Sequence, residues 1–476
     1  MQLKLSRRTF AAGAALFPVA CSQAGKMTLA SAPAPAPTGP VIINPLVKHR
    51  ADAQVFRHDD GWYYMTGSVP EYDRLVLRRS RTLAGLTDAE ERVLWRHEAT
   101  GPMSGFIWAP ELHLFDGRWI MYFAAGPSGG GADVFRIRTY AIVCDGDDPM
   151  TGNWSVLGQF QAPWDSFNLD STMFEHRGTR YFAWAQREPG IDTNSNLYIA
   201  PMASPLTLSA RPARLSVPTL DWEIRGYKVN EAPAALARNG KLFISYSASA
   251  TDARYCLGLL TAQADADIMD PRNWTKSPEP VFTTCKQTSI YGPGHNSFTV
   301  DEQGRDMLVY HGRDYEHIDG DPLFNPDRHT RVQRLYFDAD GNPDFGVPVG
   351  NGPLPDRFRS ASRPDQWLAY DDTHAFSGLA PLPNTQIRSL DAAGGAINLS
   401  PILQRGRFLA SAPDGSITTI SASQAGSAAA FRRLPGPGKD TVRFESIARP
   451  GMAIARSDNG LRLAPTRDLA TVWIAC

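Results

Sequence analysis

Apolar residues come in short clusters separated by Gly, Asp and Pro, and one phrase of them recurs five times. Each copy has a small or polar start, an apolar stretch, a turn glycine, and then a stretch rich in Tyr, Phe and Trp. The first runs Arg50-Ala51-Asp52-Ala53-Gln54-Val55-Phe56, turns at Gly61 and continues Trp62-Tyr63-Tyr64-Met65. The others begin at Trp108-Ala109-Pro110-Glu111, Leu169-Asp170-Ser171, Asn230-Glu231-Ala232-Pro233 and Gly294-His295-Asn296-Ser297, and turn at Gly117, Gly178, Gly240 and Gly304. Successive turn glycines are 56, 61, 62 and 64 residues apart. Apolar runs flanking a turn glycine read as a β-hairpin, and each period leaves enough chain for two more strands. A four-stranded sheet repeated radially is a propeller blade, so the pattern predicts a five-bladed β-propeller over residues 41–355.

After Pro355 the period shortens. Phe358-Arg359-Ser360-Ala361-Ser362-Arg363-Pro364 parallels Phe444-Glu445-Ser446-Ile447-Ala448-Arg449-Pro450, and Leu368 and Ile454 each follow ten residues after the Phe. A weaker middle copy lies around 397–409, and Ile387-Arg388-Ser389-Leu390 matches Phe431-Arg432-Arg433-Leu434. Three units of about 40 residues, all strand and turn, predict a β-trefoil over 356–476. The fold class is therefore all-β, a five-bladed propeller followed by a trefoil.

The start of the chain follows neither repeat. Ser6-Arg7-Arg8-Thr9-Phe10 and the apolar run from Ala11 to Ala20 read as an export signal of the twin-arginine type over 1–20. Ala20-Cys21 resembles the end of a lipoprotein signal, and residues 21–40, rich in Ala, Pro and Ser, read as a flexible tether. The expected location is periplasmic, on the outer surface as a lipoprotein, or secreted. The formal charge is -1, which gives no electrostatic footprint for nucleic acid. No apolar run is long enough to span a bilayer. The spacing of Cys144, Cys256, Cys285 and Cys476 fits no zinc pattern, and buried free thiols are the expected reading.

The propeller repeat also locates candidate chemistry. Residues near the start of each inner strand converge on the axis although they are some 60 positions apart in sequence. Nine residues before the turn glycine stand Asp52, Glu231 and His295, and eight before it stands Asp170. The second copy departs, with Trp108 nine before and Glu111 six before. Three carboxyl groups and an imidazole around one axis suit two roles. One is glycoside hydrolysis, which needs one protonated carboxyl to give a proton to the leaving oxygen and one carboxylate to activate water or attack. The other is binding of a hard cation such as Ca²⁺ by oxygen ligands. The two are compatible. Trp108 and Phe106, near the axis, could stack on a sugar ring, and Arg313 could give paired hydrogen bonds to sugar hydroxyls.

At these residues the chain resembles glycoside hydrolase family 43, over roughly residues 42–350. Arg50-Ala51-Asp52 looks like the family's general-base motif, Leu169-Asp170-Ser171 like its pKa-modulating aspartate, and Asn230-Glu231-Ala232-Pro233 like its general-acid motif, with Ala232 where Gly is usual. The resemblance implies hydrolysis with inversion, and a calcium or sodium ion on the axis near His295. Val69-Pro70-Glu71-Tyr72-Asp73-Arg74 and Tyr310-His311-Gly312-Arg313-Asp314-Tyr315 resemble the branch that releases L-arabinofuranose from chain ends. Implied partners are plant cell-wall arabinan and arabinoxylan or their oligosaccharides, met by a monomer whose one membrane contact is a lipid on Cys21. A β-xylosidase or an endo-arabinanase on the same propeller is the alternative enzyme. A non-catalytic glycan-binding lipoprotein is the alternative of another class. The last 120 residues resemble carbohydrate-binding module family 42. Its Tyr-Leu-Arg-His phrase stands here as Trp367-Leu368-Ala369-Tyr370, Phe408-Leu409-Ala410-Ser411 and Ala453-Ile454-Ala455-Arg456, without the sugar-holding His. That loss predicts a module kept for packing.

Overall fold

The structure, a computed structural model, describes residues 41–129, 131–372, 374–458 and 460–476, so the expected signal, the tether and Cys21 lie outside the described residues. Ten short 3-10 helices and otherwise strands make up the regular structure of these residues. Four antiparallel sheets follow one another in strict sequence order, built from 51–96, 105–159, 168–216 and 230–276, each with its first strand innermost. A fifth sheet joins Tyr291–Val300, Asp306–Arg313 and His329–Arg334. Together they form the five-bladed propeller. The turn glycines carry the hairpins as expected, with φ of 81°, 76°, 77°, 74° and 77° at Gly61, Gly117, Gly178, Gly240 and Gly304, a region that only glycine enters freely.

The fifth blade has three strands of its own, where four were expected. The N-terminal segment completes it. Leu46 N–H donates to Thr330 O at 2.8 Å and Thr330 N–H to Val47 O at 2.9 Å. Just before them, the buried Asn44 side chain donates to Val332 O at 2.8 Å and accepts from Val332 N–H at 2.9 Å. The ends of the propeller sequence are thereby sewn together, which removes the open edge that a ring of sheets would otherwise leave.

Between blades the core is aromatic and aliphatic. Tyr122, Phe160, Phe182, Trp184 and Tyr198 fill the gap between the second and third blades, and Leu236, Phe243, Phe282, Leu308 and Tyr310 that between the fourth and fifth. Cys144, Cys256 and Cys285 are free and buried as expected, whereas Cys476 is free but only half-buried.

From Asp356 on, twelve strands form a ten-stranded sheet and a separate hairpin, Arg407–Ser411 with Ile417–Ser421. Its core is centred on Phe358, Leu368, Ile387, Leu399, Leu409, Phe431, Phe444, Ile454 and Trp473, all fully buried, and Phe358 meets Phe444 edge-on at 4.9 Å. This unit docks on the fifth blade. Arg334 donates to Cys476 O at 2.6 Å and pairs with Asp356 at 3.3 Å, Arg388 donates to Gly350 O at 2.6 Å, and the Arg357 guanidinium lies over both Tyr336 and Trp367.

Asn44→Ala strips two buried backbone groups of Val332 of their partners, at a cost of about 2–4 kcal/mol. Thermal denaturation followed by circular dichroism should show a clearly lower midpoint than for Leu379→Ala, a change at a residue that is 80% exposed.

Candidate functional site

The start of every inner strand holds a non-glycine residue in the left-handed conformation: Asp52 (φ 53°), Ala109 (45°), Asp170 (50°), Ala232 (54°) and His295 (37°), with Phe106 (57°) a second one in the second blade. Each lies where the pairing with the second strand slips, so each blade opens on a bulge beside the axis. A non-glycine residue there costs roughly 1–2 kcal/mol, and part of the return is the capping of the N–H that the bulge exposes. Ser68 Oγ accepts from Ala109 N–H at 2.8 Å, Ser247 Oγ from His295 N–H at 2.8 Å, and His311 Nδ1 from Asp52 N–H at 3.2 Å. These three caps stand seven residues after their turn glycines, and each serves the next blade round the ring. The Ala232 N–H lies instead toward the Asp170 carboxyl group and pulls its pKa down.

The bulges bring the expected groups together. Asp52 and Asp170, each 7% exposed, flank His295, whose Nδ1 lies 3.5 Å from Asp52 Oδ1 and 3.8 Å from Asp170 Oδ2. Ser68 donates to Asp52 Oδ2 at 2.6 Å. On the other oxygen, Oδ1 lies 3.3 Å from Arg328 Nη1 and 3.3 Å from His311 Nδ1. Glu231 stands one residue before its bulge and accepts from Tyr255 Oη at 2.7 Å. Glu111, where the second copy departs, hydrogen-bonds His113 at 2.9 Å and adds its charge to the field on Asp170 and His295.

Electrostatics divides the three carboxyl groups. Burial pushes Asp52 up, but the Arg328 guanidinium more than offsets this and holds the group well below the usual range. Asp170 has no such cation. Burial, then the charges of Glu231 and Asp52, drive it well above the ordinary value. Burial also raises Glu231, to about 7, against the bond from Tyr255. His311 is held neutral by burial, its pKa lowered to about 4, and burial lowers His295 as well. Just below neutral pH the site thus pairs an ionised Asp52 with a proton-holding Glu231 and Asp170, a base facing an acid.

Trp108 and Phe106 line the same end of the axis, edge-on to each other at 5.2 Å. Tyr72 extends this wall, 5.5 Å from Trp108 and 5.9 Å from Phe324, which is 57% exposed. Arg313 is not presented to a ligand. It is 1% exposed, and its donors go to Asn325 Oδ1, Thr251 O and Pro322 O at 3.0, 2.7 and 2.7 Å, so it braces the loop before Arg328. The guanidinium that reaches the axis is that of Arg328, which also donates to Tyr72 Oη at 2.6 Å. Sequence reading missed Arg328, His311, Ser68 and Tyr255. Ser68, Ser247 and His311 were findable, since they share one place in the repeat. Arg328 and Tyr255 lie in or beside irregular connections with no repeat-equivalent place.

Among the described residues one group, His49, Asp327 and His329, comes close enough to resemble a metal centre. The His49 backbone N–H already donates to His329 Nδ1 at 3.2 Å, which leaves the neutral ring's proton on Nε2 and neither nitrogen free to ligate.

The profile of Glycosyl hydrolases family 43 matches residues 42–343. The extracellular exo-alpha-(1->5)-L-arabinofuranosidase of Streptomyces avermitilis is 49% identical over 376 residues, 78% of each chain. Alpha-L-arabinofuranosidase 43 of Humicola insolens is 44% identical over 438 residues, 88% of this chain and 90% of that one. The crystal structure of an alpha-L-arabinofuranosidase from Lactobacillus brevis superimposes with a TM-score of 0.64 at 49% identity, covering 65% of this chain and 98% of that one. The chain belongs to glycosyl hydrolase family 43 and is a glycoside hydrolase.

Arg328→Met removes the cation that offsets the burial of Asp52. The Asp52 pKa then rises, so the acidic limb of the glycosidase pH profile moves to higher pH and the rate below neutrality falls. A profile of kcat/KM from pH 3 to 9 checks this, and a limb that stays in place counts against the pairing.

Proposed function

We propose that the protein is an exported exo-α-L-arabinofuranosidase that releases terminal L-arabinofuranose with inversion. The observation that carries this is the split between two buried carboxyl groups, Asp52 kept ionised by Arg328 and Glu231 raised to about 7, in a chain close to enzymes named for that activity. Glu231 gives its proton to the glycosidic oxygen as that bond breaks. Asp52 takes a proton from water, and the water's oxygen attacks the anomeric carbon from the opposite face. Asp170, itself kept protonated by burial and by the neighbouring carboxyl groups, holds a second proton at the acid's side of the site. Phe106 and Trp108 form the wall against which the sugar ring rests. The substrate is arabinan, arabinoxylan or their oligosaccharides.

An ion on the axis would find His295 Nδ1 and carboxylate oxygens spread around it rather than a cage of direct ligands, so calcium or sodium there would be held through water and would supply positive charge between Asp52 and Asp170. Two of the relatives are named extracellular, which agrees with the export signal read from the sequence.

For residues 356–476 we propose a β-trefoil with a packing role. Twelve strands and three equivalent contacts support it: Arg357 Nε to Thr385 Oγ1 at 2.7 Å, Asn398 Nδ2 to Ala429 O at 2.9 Å, and Arg443 Nε to Thr471 Oγ1 at 3.1 Å. Tyr370, at the place of one missing His, is buried and donates to Pro383 O at 2.7 Å, so its hydroxyl is not offered to a ligand. The Humicola insolens relative, aligned over 88% of this chain, shares this region at least in part.

Asp52→Asn and Glu231→Gln should each leave a folded protein slower by about 10²–10⁴-fold. The assay for both variants is release of arabinose from linear arabinan, and the wild-type chain is also tested on a panel of aryl glycosides. Xylose as the main product would favour a β-xylosidase, and internal cleavage an endo-arabinanase. Silence on every substrate would favour a binding protein. Calorimetric titration of the full chain carrying Asp52→Asn with arabinoxylan oligosaccharides should fit a single site. A second site that survives blockage of the first would show that the C-terminal unit binds sugar.

A further inference from the structure

Tyr255 precedes the strand Cys256–Gln263 and is 2% exposed. Its Oη donates to Glu231 Oε1 at 2.7 Å, while among the described residues Oε2 takes no hydrogen bond. Its ring lies parallel to that of His311, with 5.7 Å between centroids and 5° between planes. His311 in turn touches Asp52 at 3.3 Å. Gly294 makes room for this stack: a Cβ there would come within 2.3 Å of two Tyr255 ring carbons. The glycine just before His295 is thus explained by a residue of the neighbouring blade. One stacked pair of rings spans from the carboxyl group that holds a proton to the one that has lost it.

We propose that Tyr255 is the positioning residue of the proton donor: its hydroxyl holds Glu231 Oε1, turns Oε2 with its proton toward the leaving oxygen, and steadies the carboxylate once that proton has gone. The assignment rests on Glu231 being the general acid. A hydrogen bond to a charged group favours the charged form, so Tyr255 opposes the rise that burial imposes on Glu231. The other charged or titratable groups gathered there are Asp52, Asp170, Arg328, His295 and His311, with Glu111 acting on Asp170 and His295.

Tyr255→Phe keeps the ring and its stack on His311 and removes the hydroxyl alone. Without that bond the donor's pKa rises, so the proton is retained to higher pH. The alkaline limb of kcat/KM should move up by about one pH unit, and the rate on α-1,5-arabino-oligosaccharides should fall about tenfold. On 2,4-dinitrophenyl α-L-arabinofuranoside, whose leaving group needs no proton, the loss should be less than about twofold. An unmoved alkaline limb, or equal loss on both substrates, overturns the proposal. Glu231→Gln measured on the same pair separates the underlying reading: it should show a far larger contrast between leaving groups. No contrast there means that Glu231 is not the donor, and the Tyr255 proposal falls with it. If the wild-type chain prefers xylosides, the matching xyloside pair gives the same contrast, so the sugar assigned to the site and the role of Tyr255 fail separately.

Discussion

Every blade begins with a kink that its own sheet cannot satisfy. The left-handed residue at the head of each inner strand turns a backbone N–H out of the ladder, and in three of the five blades the group that accepts it comes from the blade before. Ser68 caps Ala109, Ser247 caps His295 and His311 caps Asp52. A buried N–H without an acceptor costs about as much as a lost hydrogen bond, so the ring must close with each blade in register with its predecessor. The same kinks aim side chains at the axis. The interaction that locks neighbouring blades together is therefore also the one that assembles the site.

Charge is the second constraint. Three carboxyl groups and two imidazoles sit out of water around one axis, and a single guanidinium reaches them. One cation cannot keep three carboxylates ionised in such surroundings. Arg328 goes to Asp52, and the others hold protons. Chemistry that needs a base and an acid side by side follows from that shortage. The Arg328 contact with Tyr72, and the bracing of the 321–326 loop by Arg313, fix which carboxyl group the cation serves.

The C-terminal unit follows a different rule. Its buried residues repeat along the sequence, while contacts at similar intervals are made by unlike pairs, Arg with Thr twice and Asn with a backbone carbonyl once. Tyr370 spends its hydroxyl on the backbone of its own unit. The surface it shares with the fifth blade is rich in arginine, including Arg334, Arg357 and Arg388, whose planar groups satisfy backbone carbonyls and cover aromatic rings.

The sequence by itself determined what repeats. Turn glycines at a steady period placed five hairpins, and counting back from them found Asp52, Asp170, Glu231 and His295, because equivalent positions in a radial repeat must meet on the axis. Phe358, Leu368, Leu409, Phe444 and Ile454 were legible for the same reason, and all are fully buried. Only the tertiary structure decided what does not repeat. Arg328 enters from a long connection, Tyr255 from the edge of a strand, and the fifth blade is completed by residues 44–47, from the other end of the propeller sequence. Arg313 shows the limit from the opposite side: it stood in a suggestive phrase, but three acceptors within reach claim its donors. Which partner a buried cation finds, and so which carboxyl group keeps its charge, depends on distances between segments far apart in sequence, and periodicity carries no information about those.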